Sequence, residues 1–329
     1  MSDQKNWSDT RARLRQWVGP LMAVVVICLV VILLYRIVNE YSWSDISQAM
    51  ADMSSERIAR AGVFAAASYF CLTWFDWLAL RCVDRPLAWR QAALASFCSL
   101  SIGHNVGFAG LSSGAVRYRF YARWGLALED VAKLVIYCGI TVGMGLVTVA
   151  GCSLVFDPAL VASFAAIDRD VARMAGLMLL MLPVAYIGLT RFRKTISPFR
   201  RTVRLPSTQL AAAQVGVGCL NYLCVAACLH QLLGGAGVVA YVDVAAAYVL
   251  ANTGVIASHV PGGVGVLEGI VLSLLPGASV LAALLLFRVV YYLAPLALGL
   301  TLLSLSEILL KPRQDWHPHS AANASLQKH

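Results

Sequence analysis

Apolar residues fill this chain in long runs, without the alternation of apolar and polar positions that marks a soluble fold. Six such runs lie at 18–38, 61–80, 131–156, 174–190, 208–233 and 279–306. Each is close to the roughly 20 residues that a helix needs to cross a bilayer. The pattern predicts six membrane-spanning helices, the fourth of them kinked at Pro183.

Two further apolar segments are broken by glycine and proline. In the first, 88–116, glycines stand at positions 103, 107, 110 and 114, and the second, 241–276, is interrupted at Pro261-Gly-Gly-Val-Gly265. A broken backbone at membrane depth persists only where protein or water satisfies its polar groups. We therefore predict two re-entrant hairpins that line a cavity, the alternative being glycines that only let helices pack closely.

Composition and charge fix the class of protein and its predicted orientation. Only 13% of the residues are charged and 59% are hydrophobic, against about 25% charged in a typical soluble domain, so a soluble globule is excluded. Residues 81–133 and 191–204 carry net charges of +4 and +6, whereas 36–60 and 157–173 carry −1 each. Because cytoplasmic loops are enriched in Lys and Arg, we expect a multi-pass membrane protein with both termini in the cytoplasm.

The order of segments repeats along the chain. Each half reads span, span, hairpin, span, and the two halves start on opposite sides, which predicts an all-α fold with an inverted-topology repeat. We divide the chain into a basic cytoplasmic N-terminus (1–17), one transmembrane domain (18–306, with halves 18–156 and 174–306) and a short cytoplasmic tail (307–329). The tail is too short to fold as a domain by itself.

Cofactor and metal chemistry find no support in the sequence. The nine cysteines lie almost entirely inside apolar segments and form no CxxC pair, so neither a disulfide framework nor a zinc site is predicted. No catalytic residue, metal ligand set or cofactor is assigned. Membrane phospholipids are the expected partners, nucleic acid is not, and homo-oligomerisation is left open.

Four ionisable residues lie within or beside the apolar segments, where a charge is costly and commonly functional. These are Asp76, Asp243, Glu268 and Arg288. Each also has a structural interpretation. Asp76 could pair with Arg81 or reach the interface, Asp243 could cap a helix, and Glu268 and Arg288 could form a buried ion pair.

The two predicted hairpins share a weak sequence similarity, and each of the similar segments contains a histidine. His104 lies in Ser101–Gly107, which resembles Ala257–Gly263, where His259 stands. A histidine at a helix end is commonly held by hydrogen bonds alone, so this reading stays open beside a functional one. A half-helix after Pro261-Gly262-Gly263 would direct unpaired N–H groups at an anion such as a phosphate.

Three motifs resemble a known family. They are Ser113-Gly-Ala-Val-Arg117-Tyr-Arg119-Phe-Tyr-Ala-Arg123-Trp-Gly-Leu126, Ser258-His-Val-Pro261-Gly-Gly-Val-Gly265-Val-Leu-Glu268 and Arg288-Val-Val-Tyr-Tyr292-Leu-Ala-Pro295-Leu. Together they resemble the N-terminal membrane half of the multiple peptide resistance factor, the bacterial lysylphosphatidylglycerol synthase and flippase. The similarity covers nearly the whole chain in order.

The resemblance implies a domain of the bacterial inner membrane that moves aminoacylated phosphatidylglycerol to the outer leaflet, which lowers the negative surface charge that attracts cationic antimicrobial peptides. The family's soluble aminoacyltransferase domain would follow the last span, where this sequence has only a short tail. We therefore expect a stand-alone transporter-like member that is not an enzyme. Its lipid need not be lysylphosphatidylglycerol, since the wider group need not share that substrate.

The leading hypothesis is a lipid translocase whose cationic residues hold the lipid phosphate and whose carboxylates balance a cationic amino group. The candidate substrate-binding residues are Asp76, His104, Arg117, Arg119, Asp243, His259, Pro261, Gly262, Gly263, Glu268, Arg288 and Tyr292. The alternatives are an intramembrane lipid-modifying enzyme that uses Glu268 with His259 or His104 as acid and base, and a non-transporting partner of a separate lipid synthase.

Overall fold

The computed structural model describes residues 53–106, 109–196, 203–235, 239–275 and 278–309. The predicted first span, 18–38, lies outside them, as do the N-terminus 1–17 and all of the tail beyond residue 309. Within the described ranges the chain is almost entirely helical. The helices are α1 (Ser55–Cys82), α2 (Trp89–Val106), α3 (Ala109–Arg123), α4 (Leu128–Phe156), α5 (Ala159–Ala165), α6 (Arg169–Phe192), α7 (Thr208–Leu232), α8 (Tyr241–Ser258), α9 (Val266–Leu274), α10 (Ala278–Phe287) and α11 (Ala294–Leu309).

The all-α polytopic membrane fold is confirmed. Six described helices are long and apolar enough to cross a membrane. They are α1, α4, α6, α7, α8 and the continuous helix that α10 and α11 form through a π-helical segment, Arg288–Leu293. Helix α6 runs through Pro183. Besides helices, the described residues contain one antiparallel ladder of two residues a strand, β1 (Thr195–Ile196) with β2 (Val203–Arg204).

Local sequence sets several helix ends. The Asp168 carboxylate accepts a hydrogen bond from the Asp170 N–H at 2.8 Å, and the Ser207 hydroxyl accepts one from the Leu210 N–H at 3.3 Å, which caps α6 and α7. Helix α3 ends at Arg123, and Gly125 just beyond it has a φ of +89°, which lets the Leu126 N–H return to the Tyr121 carbonyl at 3.0 Å. These caps satisfy backbone groups that apolar surroundings would leave unpaired.

Both predicted hairpins are present as pairs of packed helices. Helix α2 folds back on α3, and α8 folds back on α9 through a 3-10 turn at Pro261–Gly263. At 18 residues α8 is about 27 Å long, whereas the nine residues of α9 cover only about 14 Å. The second hairpin therefore combines one arm of spanning length with one that is too short to cross.

The contacts between helices follow the reciprocal pattern that an inverted repeat requires. The second spans of the two halves, α1 and α7, pack against each other at the centre. The first arm of each hairpin packs against the last helix of the opposite half: α2 against α11, and α8 against α4. This reciprocal exchange is what a twofold relation between the halves produces.

Close helix contacts depend on glycine at two interfaces, α4 with α7 and α2 with α11. A Cβ atom on Gly145 of α4 would lie 2.4 Å from the carbonyl carbon of Gly218 in α7. A Cβ atom on Gly299 of α11 would lie 2.0 Å from the hydroxyl oxygen of Ser101 in α2. Association of membrane helices relies on such backbone approach, because lipid supplies no hydrophobic drive between helices.

Candidate functional site

The first buried ion pair joins the first hairpin to α1. Arg117 of α3 donates to Asp76 of α1 through Nη2 to Oδ1 at 2.7 Å and Nε to Oδ2 at 2.9 Å. Both side chains are almost fully buried, with 0% of Asp76 and 2% of Arg117 exposed. A charge buried this deeply is tolerated only when it is paired and hydrogen-bonded. The pair therefore fastens the returning arm of the first hairpin to α1.

Further side chains complete the surroundings of this pair. The Tyr121 hydroxyl donates to Asp76 Oδ2 at 2.7 Å, and Arg117 Nη1 donates to the Ser113 hydroxyl at 2.8 Å. The alternative of an Asp76–Arg81 pair was wrong, because the Arg81 guanidinium lies over the Trp77 ring, 3.3 Å from its centroid. Three of these four residues, Ser113, Arg117 and Tyr121, stand four positions apart on one face of α3.

The second buried ion pair joins the second hairpin to the last helix. Arg288 Nε donates to Glu268 Oε1 at 2.6 Å, and Nη2 donates to Oε2 at 3.0 Å. Only 4% of Arg288 and 5% of Glu268 is exposed. The Tyr292 ring packs beside the guanidinium, whose carbon lies 4.7 Å from the ring centroid.

The same guanidinium also holds the broken backbone. Arg288 donates through Nη1 to the Gly262 carbonyl in a short contact, and through Nη2 to the Gly263 carbonyl at 3.0 Å. Glu268 Oε2 also accepts a hydrogen bond from the Gly265 N–H at 2.9 Å. With four N–H···O contacts of its own, Arg288 ties together a carboxylate and two carbonyls from one turn.

The break itself has the backbone geometry that the sequence predicted. Gly262, Gly263 and Gly265 have φ angles of +63°, +61° and +80°, a region that residues with a side chain rarely adopt. The backbone groups that contact the Arg288 guanidinium, however, are the carbonyl oxygens of Gly262 and Gly263. The expectation that this turn directs its N–H groups at a bound phosphate stays a prediction, while the geometry favours the structural interpretation of the Glu268–Arg288 pair.

The turn leads to a sharp prediction at Gly263. A Cβ atom there would lie 2.5 Å from the Val255 side chain, so Gly263→Ala is expected to cost about 1–2 kcal/mol from positive φ and about 1–3 kcal/mol from overpacking. Gly269, one turn further on, has open space around its Cβ position. Gly269→Ala is the matched control and is expected to keep or raise stability. Thermal unfolding in detergent compares the two, and equal stability would contradict the tight turn.

Between the two halves lies a third feature, which we call the central polar cluster: Ser68, Tyr69, His104, Asn105, Asn221, Tyr291 and Tyr292. It surrounds the π-helical segment of the last helix, Arg288–Leu293. The Tyr69 hydroxyl and the Asn105 amide donate to the carbonyls of Tyr291 and Tyr292, each at 3.3 Å. Segments of π-helix are rare and recur at functional sites.

Hydroxyl and amide groups extend this cluster across the interface. Ser68 of α1 donates to Asn221 Oδ1 of α7 at 2.7 Å and lies 2.9 Å from the Tyr291 hydroxyl. The cluster thus connects α1, α2, α7 and the π-helical segment through neutral hydrogen bonds. Its only titratable nitrogen base is His104, whose ring centroid lies 6.3 Å from that of Tyr69 and 6.4 Å from that of Tyr291. Within the described ranges, the buried Nδ1 of His104 has no hydrogen-bond partner.

The other predicted site residues lie apart from this cluster. Arg119 pairs with Glu307 near the end of α11. Asp243 is partly exposed in the first turn of α8, and Pro261 begins the 3-10 turn. His259 is exposed at the end of α8, with Nδ1 3.0 Å from the Ala257 carbonyl. His104 and His259 therefore have different surroundings, although they occupy corresponding positions in the two similar segments.

Sequence reasoning missed the partners of the charged residues and several members of the cluster. Ser68, Asn221 and Tyr69 were not singled out, although polar residues inside apolar runs are a signal for contacts between helices. The pairing of Glu307 with α3 had no local signal, because 188 residues separate it from Arg119. Across the described part of the chain there is no group of three or more His, Cys, Asp or Glu side chains suited to a metal ion.

Comparison with known proteins agrees with this architecture. A family model described as the lysylphosphatidylglycerol synthase TM region matches residues 21–299. An uncharacterized protein of the cyanobacterium Synechocystis, slr0712, is 30% identical over 303 residues, which cover 89% of this chain and 93% of that protein. The inner membrane protein YbhN of Escherichia coli is 28% identical over 284 residues, covering 82% and 86% of the two chains. This chain therefore belongs to the family of the lysylphosphatidylglycerol synthase transmembrane region.

Proposed function

We propose that the protein is a lipid translocase of a bacterial inner membrane, with both termini in the cytoplasm, that moves a phospholipid between the two leaflets. The observation that carries the proposal is the central polar cluster. It places hydroxyl, amide and imidazole groups between the two halves of the bundle, beside a π-helical segment and a broken hairpin. A head group needs such a polar path, while its acyl chains stay in the bilayer.

The strengths of the contacts indicate where the molecule would open. The buried ion pairs each tie a hairpin to a helix of its own half, Arg117 to Asp76 and Arg288 to Glu268. Charge-assisted, bidentate bonds of this kind are about twice as strong as neutral ones. At the central polar cluster the bonds between the halves are neutral, so rocking of one half against the other would break this weaker set, and it would also have to release the contacts of Arg119 and Arg123 with Glu307 at the end of α11.

The sequence contains no phosphate-binding loop for a nucleotide. Movement of the lipid is therefore proposed to be passive or driven by an ion gradient. Aminoacylated phosphatidylglycerol is one candidate substrate, on the strength of the family, and phosphatidylglycerol without the amino acid is another. Neither requires chemistry from the protein, since the lipid leaves unchanged.

The test is leaflet exchange in liposomes that carry the purified protein and a fluorescent phospholipid, read by quenching from one side. The Tyr291→Phe variant loses the bond to Ser68 across the interface, worth about 1 kcal/mol. If opening limits the rate, exchange is expected to quicken by up to about fivefold, since 1 kcal/mol corresponds to that factor.

Tyr241→Phe is the matched control for this change. The Tyr241 hydroxyl donates to the Leu223 carbonyl at 2.8 Å between helices of the same half, so its loss is expected to leave the exchange rate unchanged. An equal effect of both substitutions would show that the interface has no special role. A wild-type protein that exchanges neither phosphatidylglycerol nor its aminoacyl form would refute the proposed function.

A further inference from the structure

The buried and half-buried arginines of the described structure differ in how many of them share one carboxylate. Arg117, Arg119 and Arg288 are the arginines predicted from the sequence to hold a lipid phosphate, and of these Arg117 and Arg288 each face one buried carboxylate in a one-to-one pair. At the end of α3 the ratio is different, because Arg119 and Arg123 converge on the single carboxylate of Glu307. This group of three side chains, which we call the arginine pair with Glu307, carries net positive charge.

Its geometry suits a phosphate. Arg119 and Arg123 stand four residues apart and so share one face of α3. Arg119 Nε donates to Glu307 Oε1 at 2.7 Å, and Arg123 Nη2 makes a short contact with Oε2. Each guanidinium thus uses a different carboxylate oxygen. A phosphate group, with more oxygens than a carboxylate, presents acceptors to two such forks at once.

One donor of this group is left over. Arg123 Nη1 is buried and has no hydrogen-bond acceptor within the part of the chain that the structure describes. A buried donor without a partner costs about 1–3 kcal/mol, so the Glu307 carboxylate leaves Arg123 incompletely satisfied. The group as a whole remains reachable, with 27%, 19% and 29% of the three side chains exposed, against 6% or less for the two buried pairs.

We infer that Arg119 and Arg123 form a binding site for the phosphate of an anionic phospholipid, and that Glu307 occupies this site until the lipid displaces it. The inference rests on the proposed function and gives it a head-group class. It moves phosphate recognition away from Arg288, which is engaged by the hairpin turn, to the end of the bundle where the basic segment 81–133 lies. The same chemistry would accept a free phosphate ion, and the test separates the two.

The test measures lipid association with the full-length protein in phosphatidylcholine bilayers that contain a small fraction of spin-labelled phosphatidylglycerol. The fraction of label immobilised by the protein gives the relative affinity. The double variant Arg119→Gln/Arg123→Gln is expected to lower this affinity about tenfold, since each lost bond is to a charged group. Glu307→Gln is expected to raise it, because the competing carboxylate is gone while both arginines remain.

Matched controls lie in the same basic segment. Arg85→Gln/Arg90→Gln removes two exposed positive charges and is expected to have a much smaller effect. Asp130→Asn removes the carboxylate of a one-to-one pair with Arg85, 3.1 Å apart, and tests whether loss of any negative charge is enough. Thermal unfolding of each variant confirms that it is folded.

The outcomes separate clearly. Lower phosphatidylglycerol affinity in Glu307→Gln would overturn the inference. In a purely structural cluster, removing either the two arginines or the carboxylate would disturb the end of the bundle and lower lipid binding. Displacement of the labelled lipid by an equal concentration of inorganic phosphate would overturn the assignment to a lipid. Binding is measured without transport, so loss of leaflet exchange with binding intact refutes only the proposed translocase, and exchange that persists without binding refutes only this site.

Discussion

Replacing Arg288 by alanine is expected to lower the free energy of unfolding by about 3–5 kcal/mol. The substitution leaves the Glu268 carboxylate buried without its cation and removes the donors to the carbonyls of Gly262 and Gly263. Each of those groups was taken out of water on folding, so each now costs free energy. Denaturation of the purified protein in detergent measures the loss.

The double variant Glu268→Ala/Arg288→Ala decides between the two roles of this pair. If the pair fastens the hairpin turn to the last helix, removing both charges is expected to recover part of the stability, because no unpaired charge stays buried. A pair used mainly for substrate binding would behave differently. Arg288→Ala would then melt near the wild-type temperature and lose leaflet exchange, a result incompatible with the structural role.

Replacing Asp76 by alanine is expected to have a comparable effect in the first half. Arg117 is almost fully buried, and Asp76 accepts its two strongest contacts and that of the Tyr121 hydroxyl. Without the carboxylate, a guanidinium that cannot lose its proton is left without a counter-ion. The expected loss is about 3–5 kcal/mol, measured by the same denaturation experiment.

The control for this experiment is another aspartate in an ion pair. Asp170 lies 3.4 Å from Arg173 on the surface of α6, with 87% of its side chain exposed. Asp170→Ala is expected to cost about 0–1 kcal/mol, because water already screens an exposed pair. Similar losses for the two aspartates would show that burial of the Asp76–Arg117 pair does not determine its contribution.

These predictions bear on how the molecule moves. If both ion pairs hold each hairpin within its own half, then the halves are the rigid bodies and the central polar cluster is where they separate. Variants of the ion pairs should therefore reduce stability, whereas variants of the neutral cluster, such as Tyr291→Phe, should alter exchange with little loss of stability. Arg288→Ala and Tyr291→Phe lie three residues apart on the last helix, and the same preparation serves for both.

The sequence by itself determined the class of protein and the positions of its segments. Long apolar runs can satisfy their backbone in a bilayer only as helices, so the predicted spans at 131–156 and 208–233 agree closely with α4 and α7. Glycine and proline marked the turn at 261–265 because positive φ is nearly restricted to glycine. The same reasoning located most of the buried charged residues, since a charge in an apolar run is rare.

Only the tertiary structure decided which residues meet. Asp76 and Arg117 are 41 residues apart, and Arg123 and Glu307 are 184 apart, so no local spacing connects them. The π-helical segment has one local mark, Pro295, whose missing N–H leaves the Tyr291 carbonyl without a helical donor. Only the tertiary structure shows that the carbonyls of Tyr291 and Tyr292 accept hydrogen bonds from Tyr69 and Asn105 of the other half. Partner choice is a property of packing between helices, and packing depends on the whole set of side chains at an interface. For that reason the sequence could name the charged residues but not the groups that neutralise them.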